Sequence, residues 1–444
     1  MYKFKRVCVF IAVVVCLALV LSACGSSAPA PREEAKEAPK AESAKSSDAA
    51  QKSSGEKTKF KFYGKVNEYS SFDAMTKALA EKLKDKYDFE FIPVDWGNLE
   101  KVIRTGIASG DPCDLYEYWP PQMKTFIDSK MALDLTPYLE ENGGEWKNTF
   151  IQTALDTGKY GDKYYAVPYD VNFSVLYVNK DVLDKAGVTI PDKWNWSEFL
   201  AACKQIKGKT GVTPVGFPIF DMGGLLLENG VESILKSDPA KLDAFATGKT
   251  DVTTLAPEFK TAFKNIKDLF ANGYIYPEKG AVTAKRDELK AGLQQGKVAM
   301  VAEVAALAKT ITKDLPFNYA IAPWPTMGNE GLSVGGGDGF FVPASAKDPK
   351  ASVEVLKAFY SKDIMKIHAD HGFAVTFNGI EITDPITKDI VKFSKDLYTK
   401  EFHSIDPKMN EYITKNFMGE LIIANKNEDE LIKKIEEIRK SVKQ

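Results

Sequence analysis

The sequence predicts an α/β protein with two sheet-and-helix units, and three observations predict it. Apolar residues switch between a spacing of two and a spacing of three to four, strands alternate with helices along the chain, and the alternation starts afresh near residue 170. The stretch from 59 to 444 is long enough for two domains with substantial cores.

Lys59 to Val66 alternates apolar and charged residues, which is a strand pattern. Phe72, Met75, Leu79 and Leu83 then recur at helical spacing, and Phe89 to Val94 returns to strand. Leu99, Val102, Ile103 and Ile107 mark a second amphipathic helix, closed by Ser109-Gly110-Asp111-Pro112. A strand from Asp114 to Tyr118 ends at Trp119-Pro120. This order favours a parallel sheet covered on both faces. The second unit opens with a strand at Phe173 to Val178. Asn195 then caps a helix, with Glu198 three residues on, and Gly208 is expected to stop it near Lys207. Helices are expected over Pro257 to Asn272 and Thr283 to Gln295, with a strand over Val298 to Val301. The tail reads as all-helical: Pro349 to Tyr360, Ile386 to Thr399, Pro407 to Ala424 and Asp429 to Val442.

The N-terminus reads differently. Lys3, Lys5 and Arg6 precede an apolar run from Val7 to Leu21, too short for a permanent span and placed as in a secretory leader. The run ends in Leu21-Ser22-Ala23-Cys24, which resembles the lipobox of bacterial lipoproteins. That resemblance implies a leader over 1–23 and a lipid on Cys24. Residues 24–58 hold Ala, Ser, Lys, Glu and Pro but no aromatic residue before Phe60, so they are expected to form a flexible tether. Such a chain is extracytoplasmic, held at the outer face of the cell membrane, and expected to belong to a Gram-positive cell.

The net charge is −2, and about −5 once the three cationic residues of the leader are gone, with Lys and Glu well mixed. Nucleic acid is therefore not expected as a partner, because it needs a concentrated basic face. Of five cysteines, only Cys113 and Cys203 lie beyond Cys24, which gives no disulfide framework and no metal cluster. Cys203 shares a stripe with Trp196, Phe199, Leu200 and Ile206 and reads as a core residue. His368 and His371 lack a zinc pattern and read as surface or packing residues. No cofactor is expected.

Several stretches resemble the family 1 extracellular solute-binding proteins of ABC importers. They are Ala108-Ser-Gly-Asp-Pro-Cys-Asp-Leu-Tyr-Glu-Tyr-Trp119, Lys163-Tyr-Tyr-Ala-Val-Pro-Tyr-Asp170, Leu176-Tyr-Val-Asn-Lys-Asp181, Gln295-Gly-Lys-Val-Ala-Met300, Ala322-Pro-Trp-Pro325 and Gly335 to Pro343. Two departures stand out: Cys113 intrudes before Asp114, and no Trp follows Met300 closely. The resemblance implies a two-lobed, periplasmic-binding-protein-like fold of type II with an interlobe cleft. Lobe 1 would comprise 59–168 and 304–342, and lobe 2 would comprise 169–303 and 343–444. The implied function is capture of a small solute, a mono- or oligosaccharide, by a monomer that delivers it to membrane permease subunits. A peptide or a polyamine is the alternative.

A sugar presents hydroxyls to fork-like polar groups and C–H faces to aromatic rings. The candidate ligand-binding residues are therefore Trp119 and Tyr118 at a strand end, Tyr169 and Asp170 at the first crossing, and Glu303 at a strand end. Trp324 lies between two prolines, and Gly337 and Asp338 lie in a glycine-rich turn. Asp95 and Trp96, after the second strand, are weaker candidates. Gly331-Leu-Ser333-Val-Gly335 has the spacing of a nucleophile elbow, the basis of a rival serine hydrolase reading. An elbow needs a helix directly after the serine, whereas glycines and a strand from Phe340 follow here.

Overall fold

The computed structural model describes residues 57–95 and 98–441, apart from the side chains of residues 220–222. The leader, Cys24, all but the end of the tether, and Trp96 lie outside the described residues.

The first lobe is built on a five-stranded sheet in the order β2-β1-β3-β10-β4, formed by β1 (Thr58–Gly64), β2 (Tyr87–Pro93), β3 (Leu115–Tyr118), β4 (Val167–Pro168) and β10 (Gly339–Phe341). β1 runs parallel to both β2 and β3, as βαβ units require, while β10 is antiparallel to β3 and β4. Helix α1 (Ser70–Lys82) buries Phe72, Met75 and Leu79, the stripe read from the sequence. The core is strongly aromatic. Phe62 lies 4.9 Å from Phe340, Phe340 lies 5.2 Å from Phe359, and Phe359 lies 5.9 Å from Phe72, centroid to centroid. Each such pair adds about 0.5–1.5 kcal/mol beyond the area it buries.

The second lobe holds a six-stranded sheet with the path β11-β9-β5-β7-β6 and β8 also on β5. Its strands are β5 (Asn172–Asn179), β6 (Thr213–Gly216), β7 (Val298–Val304), β8 (Tyr319–Ala322), β9 (Ser333–Gly336) and β11 (Leu397–Tyr398). Every residue of β5 is buried, which fits the apolar stretch from Val175 to Val178. The pairing is mixed, because β7, β8 and β9 are all antiparallel to β5. The expectation of a parallel sheet therefore holds for β1 with β2 and β3 and for β6 with β7, while the remaining pairs on β5 and β10 are antiparallel.

Helix α3 (Trp196–Thr210) is capped as read: Asn195 Oδ1 accepts the Glu198 N–H at 2.9 Å. It passes through Gly208 and ends on Gly211, whose φ of 74° supplies the left-handed turn. Helix α4 (Ile219–Leu235) was not singled out in the sequence, since its apolar residues form no clean stripe. α5 (Ala256–Ala271) and α6 (Arg286–Gln294) match expectation within a few residues.

The later chain divides differently from the expected 304–342 and 343–444. β8 and β9 pair with β5, so 319–336 lie in the second sheet. α7 (Pro349–Phe359) and α8 (Lys362–Asp370) send Leu356, Phe359 and Met365 into the first core. The reason is packing: the Phe62 cluster needs Phe359 to close it. The tail is not all helix either. α9 (Pro385–Phe393) gives way to β11, and after Glu411 the backbone opens into wide π-type turns at Tyr412–Asn416 and Gly419–Ile423. α10 (Glu428–Ser441) completes the lobe, and no described helix is long and apolar enough to cross a membrane.

Chain crossings lie side by side. The Tyr169 N–H donates to Asp338 O at 2.8 Å, and the Val171 N–H donates to Ala374 O at 2.8 Å. A Cβ on Gly337 would sit 1.9 Å from Asp170 O, so only glycine lets the strands approach this closely.

Candidate functional site

A cleft of about 380 Å³ opens between the two lobes. Its lobe 1 wall comes from segments that leave the strand ends: Lys65, Glu68 and Tyr69 after β1, Trp119 and Gln122 after β3, and Asp338 before β10. This is the edge where open α/β sheets receive ligands. The lobe 2 wall is assembled from scattered pieces. Asn172 starts β5, Leu225 comes from α4, Arg286 opens α6, Val304 ends β7 with Ala306 and Leu307 after it, and Glu401, His403 and Thr414 come from the tail.

Lys65 organises the first wall. Its ammonium is 2.5 Å from Asp338 Oδ2 and 3.4 Å from Glu117 Oε1, and its backbone N–H donates to Glu117 Oε2 at 2.8 Å. Tyr169 OH donates to Glu117 Oε1 at 2.7 Å, and the Asp338 N–H donates to Asp170 Oδ1 at 2.7 Å. Burial alone would strip the Lys65 proton, but Asp338, Glu117 and Asp170 outweigh it and hold the pKa well above the ordinary lysine value. Burial raises Asp170 to about 6 and Glu117 to about 8, against the pull of Lys65. His368 is a packing histidine: it stacks on Phe373 at 4.1 Å, and burial with Lys65 nearby takes it down to about 3.

Histidine organises the second wall. His403 Nδ1 is 2.6 Å from Glu228 Oε2, its Nε2 is 3.6 Å from Glu401 Oε2, and its backbone N–H donates to Glu228 Oε1. Burial pushes the imidazole down, but the charge and hydrogen bond of Glu228, helped by Glu401, carry it up to about 9. One turn along α4, Glu232 is fully buried, and neither carboxyl oxygen has a side-chain hydrogen-bond partner among the described residues. Burial first, then the charges of Glu228 and Glu401, raise it well above the ordinary glutamate value. Across the cleft, Trp119 Nε1 donates to Glu401 Oε2 at 3.3 Å.

Of the eight candidates, the structure brings Trp119 and Asp338 onto the cleft. Tyr118 turns into the lobe 1 core, edge-on to Phe126 at 4.9 Å, and strand alternation turns Glu117 the other way, onto Lys65 and Tyr169. Tyr169 and Asp170 lie behind Lys65 as its buried support. Glu303 sits 3.3 Å from Arg286 Nε and accepts the Val304 N–H, so it orients a cleft residue. Gly337 approaches backbone rather than an open space. Trp324 is on the far side: it packs edge-on to Phe217 at 5.3 Å and borders a separate pocket with Trp194 and Ser333. Ser333 opens β9, and a strand follows it, so the context of a nucleophile elbow is not met. Cys203 is buried in the core as read, and Cys113 is half-buried, its thiol pushed up by burial to about 11. The Asp95 N–H donates to Tyr63 OH at 2.9 Å.

Sequence reading missed Lys65, Glu68 and Tyr69, although the strand-end rule applied to Trp119 points to them equally. Glu401 and His403 carried no such signal, since they follow a stretch read as helix.

The model of the bacterial extracellular solute-binding protein family matches residues 63–366. A putative binding protein of Brucella abortus is 26% identical over 392 residues, covering 83% of this chain and 90% of the relative. A diacetylchitobiose-binding protein of Streptomyces coelicolor is 27% identical over 288 residues, 64% of each chain. A solved chitin oligosaccharide-binding protein superposes with a TM-score of 0.71 at 20% identity, over 87% of this chain and 99% of that one, and so shares the fold. With two α/β lobes around a cleft and a family match over most of the folded chain, the protein belongs to the bacterial extracellular solute-binding proteins, family 1 of those serving ABC importers.

Proposed function

We propose that the protein is the substrate-binding lipoprotein of an ABC importer, anchored through Cys24, which holds a carbohydrate in its interlobe cleft as a monomer and hands it to the membrane permease. The observation that carries this reading is the convergence of two aromatic rings, Tyr69 and Trp119, with polar groups from both lobes on one cleft. Rings suit the C–H faces of a sugar, while Glu401, Asn172, Gln122 and Arg286 supply acceptors and donors for its hydroxyls. The diacetylchitobiose-binding relative supports the same ligand class. A polyamine site would need an acidic wall without its own counter-charges, and here Lys65 sits against Asp338, Arg286 against Glu303 and His403 against Glu228. A neutral, hydroxyl-rich ligand fits that balance better. Binding requires no reaction, so no catalytic residue is assigned.

A thermal-shift screen of mono- and oligosaccharides, with spermidine and short peptides alongside, tests the reading. A binding sugar at a hundredfold excess over its Kd adds about 2.7 kcal/mol of stability by mass action. A rise with a peptide or spermidine, and with no sugar, contradicts it. For the anchor, Cys24→Ala should release the protein from the outer face of a Gram-positive membrane into the medium, and continued retention would contradict it.

A further inference from the structure

We propose that the buried His403–Glu228 pair is a positioning device that holds the Glu401 carboxylate beneath Trp119, making a latch that joins the two walls of the cleft. The proposal concerns the regulation of the same cleft and rests on the two-lobed binding reading above.

The geometry is specific. Glu401 Oε2 accepts the Trp119 indole N–H from lobe 1 and the Ser404 hydroxyl at 2.7 Å, and lies 3.6 Å from His403 Nε2. The other imidazole nitrogen is taken by Glu228 at 2.6 Å. A doubly protonated ring therefore faces a carboxylate on each side, and only that form offers an N–H to both. The turn Phe402–Ile405 that carries His403 is itself fixed, because Phe402 stacks on Phe245 at 4.4 Å. Trp119 is held by the Pro120–Gln122 turn that follows it.

Glu232 makes the arrangement sensitive to proton loss. Its carboxyl is buried beside Glu228 and Glu401 with the Phe402 backbone N–H as a weak donor and no cation of its own among the described residues, so the cluster has little to offset its acids once the imidazolium is gone. Other titratable groups facing His403 are Glu100, Tyr118 and Asp406 in a small adjoining pocket, and Lys65, Glu68, Arg286 and Asp338 around the cleft. Glu228 and Glu401 flank the ring itself, one at each nitrogen. When His403 becomes neutral, Glu401 loses the imidazolium that positions it while Glu228 remains, and the Trp119–Glu401 bond is no longer held in its geometry.

The test is the pH dependence of the Trp119 indole N–H resonance in the ligand-free protein, labelled with 15N-tryptophan and assigned with Trp119→Phe. In the wild type the resonance should move as pH rises through about 9. In His403→Gln it should sit at pH 7 where the wild type sits above that point, and stay there. Glu401→Gln should also lose the inflection, which keeps the test alive if the histidine variant does not fold. A wild-type resonance that never moves overturns the latch. So does the same inflection in His403→Gln, which would assign the titration to Glu117 on lobe 1. No ligand is used, so a sugar screen can fail while the latch stands, and the latch can fail while sugars bind.

Discussion

The two walls of the cleft solve one electrostatic problem in opposite ways. On lobe 1 a buried lysine faces three carboxylates, and the network is closed: Asp338 and Glu117 touch the ammonium, Tyr169 supports Glu117, and a backbone N–H supports Asp170. On lobe 2 a buried histidine faces two carboxylates, Glu228 and Glu401, and a third acid, Glu232, is buried beside them with no side-chain partner among the described residues. The Lys65 ammonium is held well above the ordinary lysine value, whereas the His403 imidazolium loses its proton as pH rises through about 9. The first wall is therefore a fixed platform, and the second is the one that protonation can adjust.

The largest effect should come from breaking the closed network. Lys65→Met leaves Glu117, Asp338 and Asp170 buried without their counter-charge, and should cost about 3–5 kcal/mol in urea unfolding. A loss below about 1 kcal/mol would mean that the acids are already neutral and that the wall is not an ionic platform.

Next is the pH dependence of the second wall. The folded-state pKa of His403 is raised from 6.5 to about 9, so its contribution is fully present below pH 6.5 and is lost as pH rises through 9. Unfolding free energy should fall by about 3 kcal/mol across that window and fall less in His403→Gln. Equal slopes in the two proteins would remove the asymmetry between the walls.

Trp119→Ala should weaken saccharide binding about tenfold, close to 1.4 kcal/mol, with little loss of stability because the ring lies at the cleft. Glu232→Met reverses the sign expected at Lys65: replacing a lone buried acid with an apolar chain should stabilise the protein by about 1 kcal/mol in the same unfolding assay. A destabilisation of that size would mean that the carboxyl has a partner. The smallest effect is reserved for Trp324→Phe, which should leave saccharide affinity unchanged in titration calorimetry, since that ring borders a different pocket.

The contrast also explains what the sequence could reveal. The first wall is local: Trp119 ends a strand visible from its alternation, and Lys65, Glu68 and Tyr69 end another, so a rule about strand ends reaches all of them. The second wall joins residues more than a hundred positions apart, with Glu228 and His403 meeting only because α4 and the tail pack together. No spacing encodes that. The same limit misplaced the lobe boundaries, because β9 pairs with β5 through Gly335 and Gly336, two residues with no side chain to betray which face they join. Trp324 misled for a related reason: a Trp between prolines is constrained, but constraint says nothing about which side of the lobe it faces.

The central claim is that both walls grip one saccharide, and a double-mutant cycle in titration calorimetry tests it most directly. For a sugar that binds the wild type one-to-one, Trp119→Ala on one wall and Glu401→Gln on the other should each weaken binding, and their combined loss should differ from the sum of the single losses by more than about 0.5 kcal/mol. Because Trp119 also bonds Glu401 directly, the same cycle run on unfolding free energy without ligand gives the coupling to subtract. Full affinity in either single variant would contradict a ligand held between the lobes.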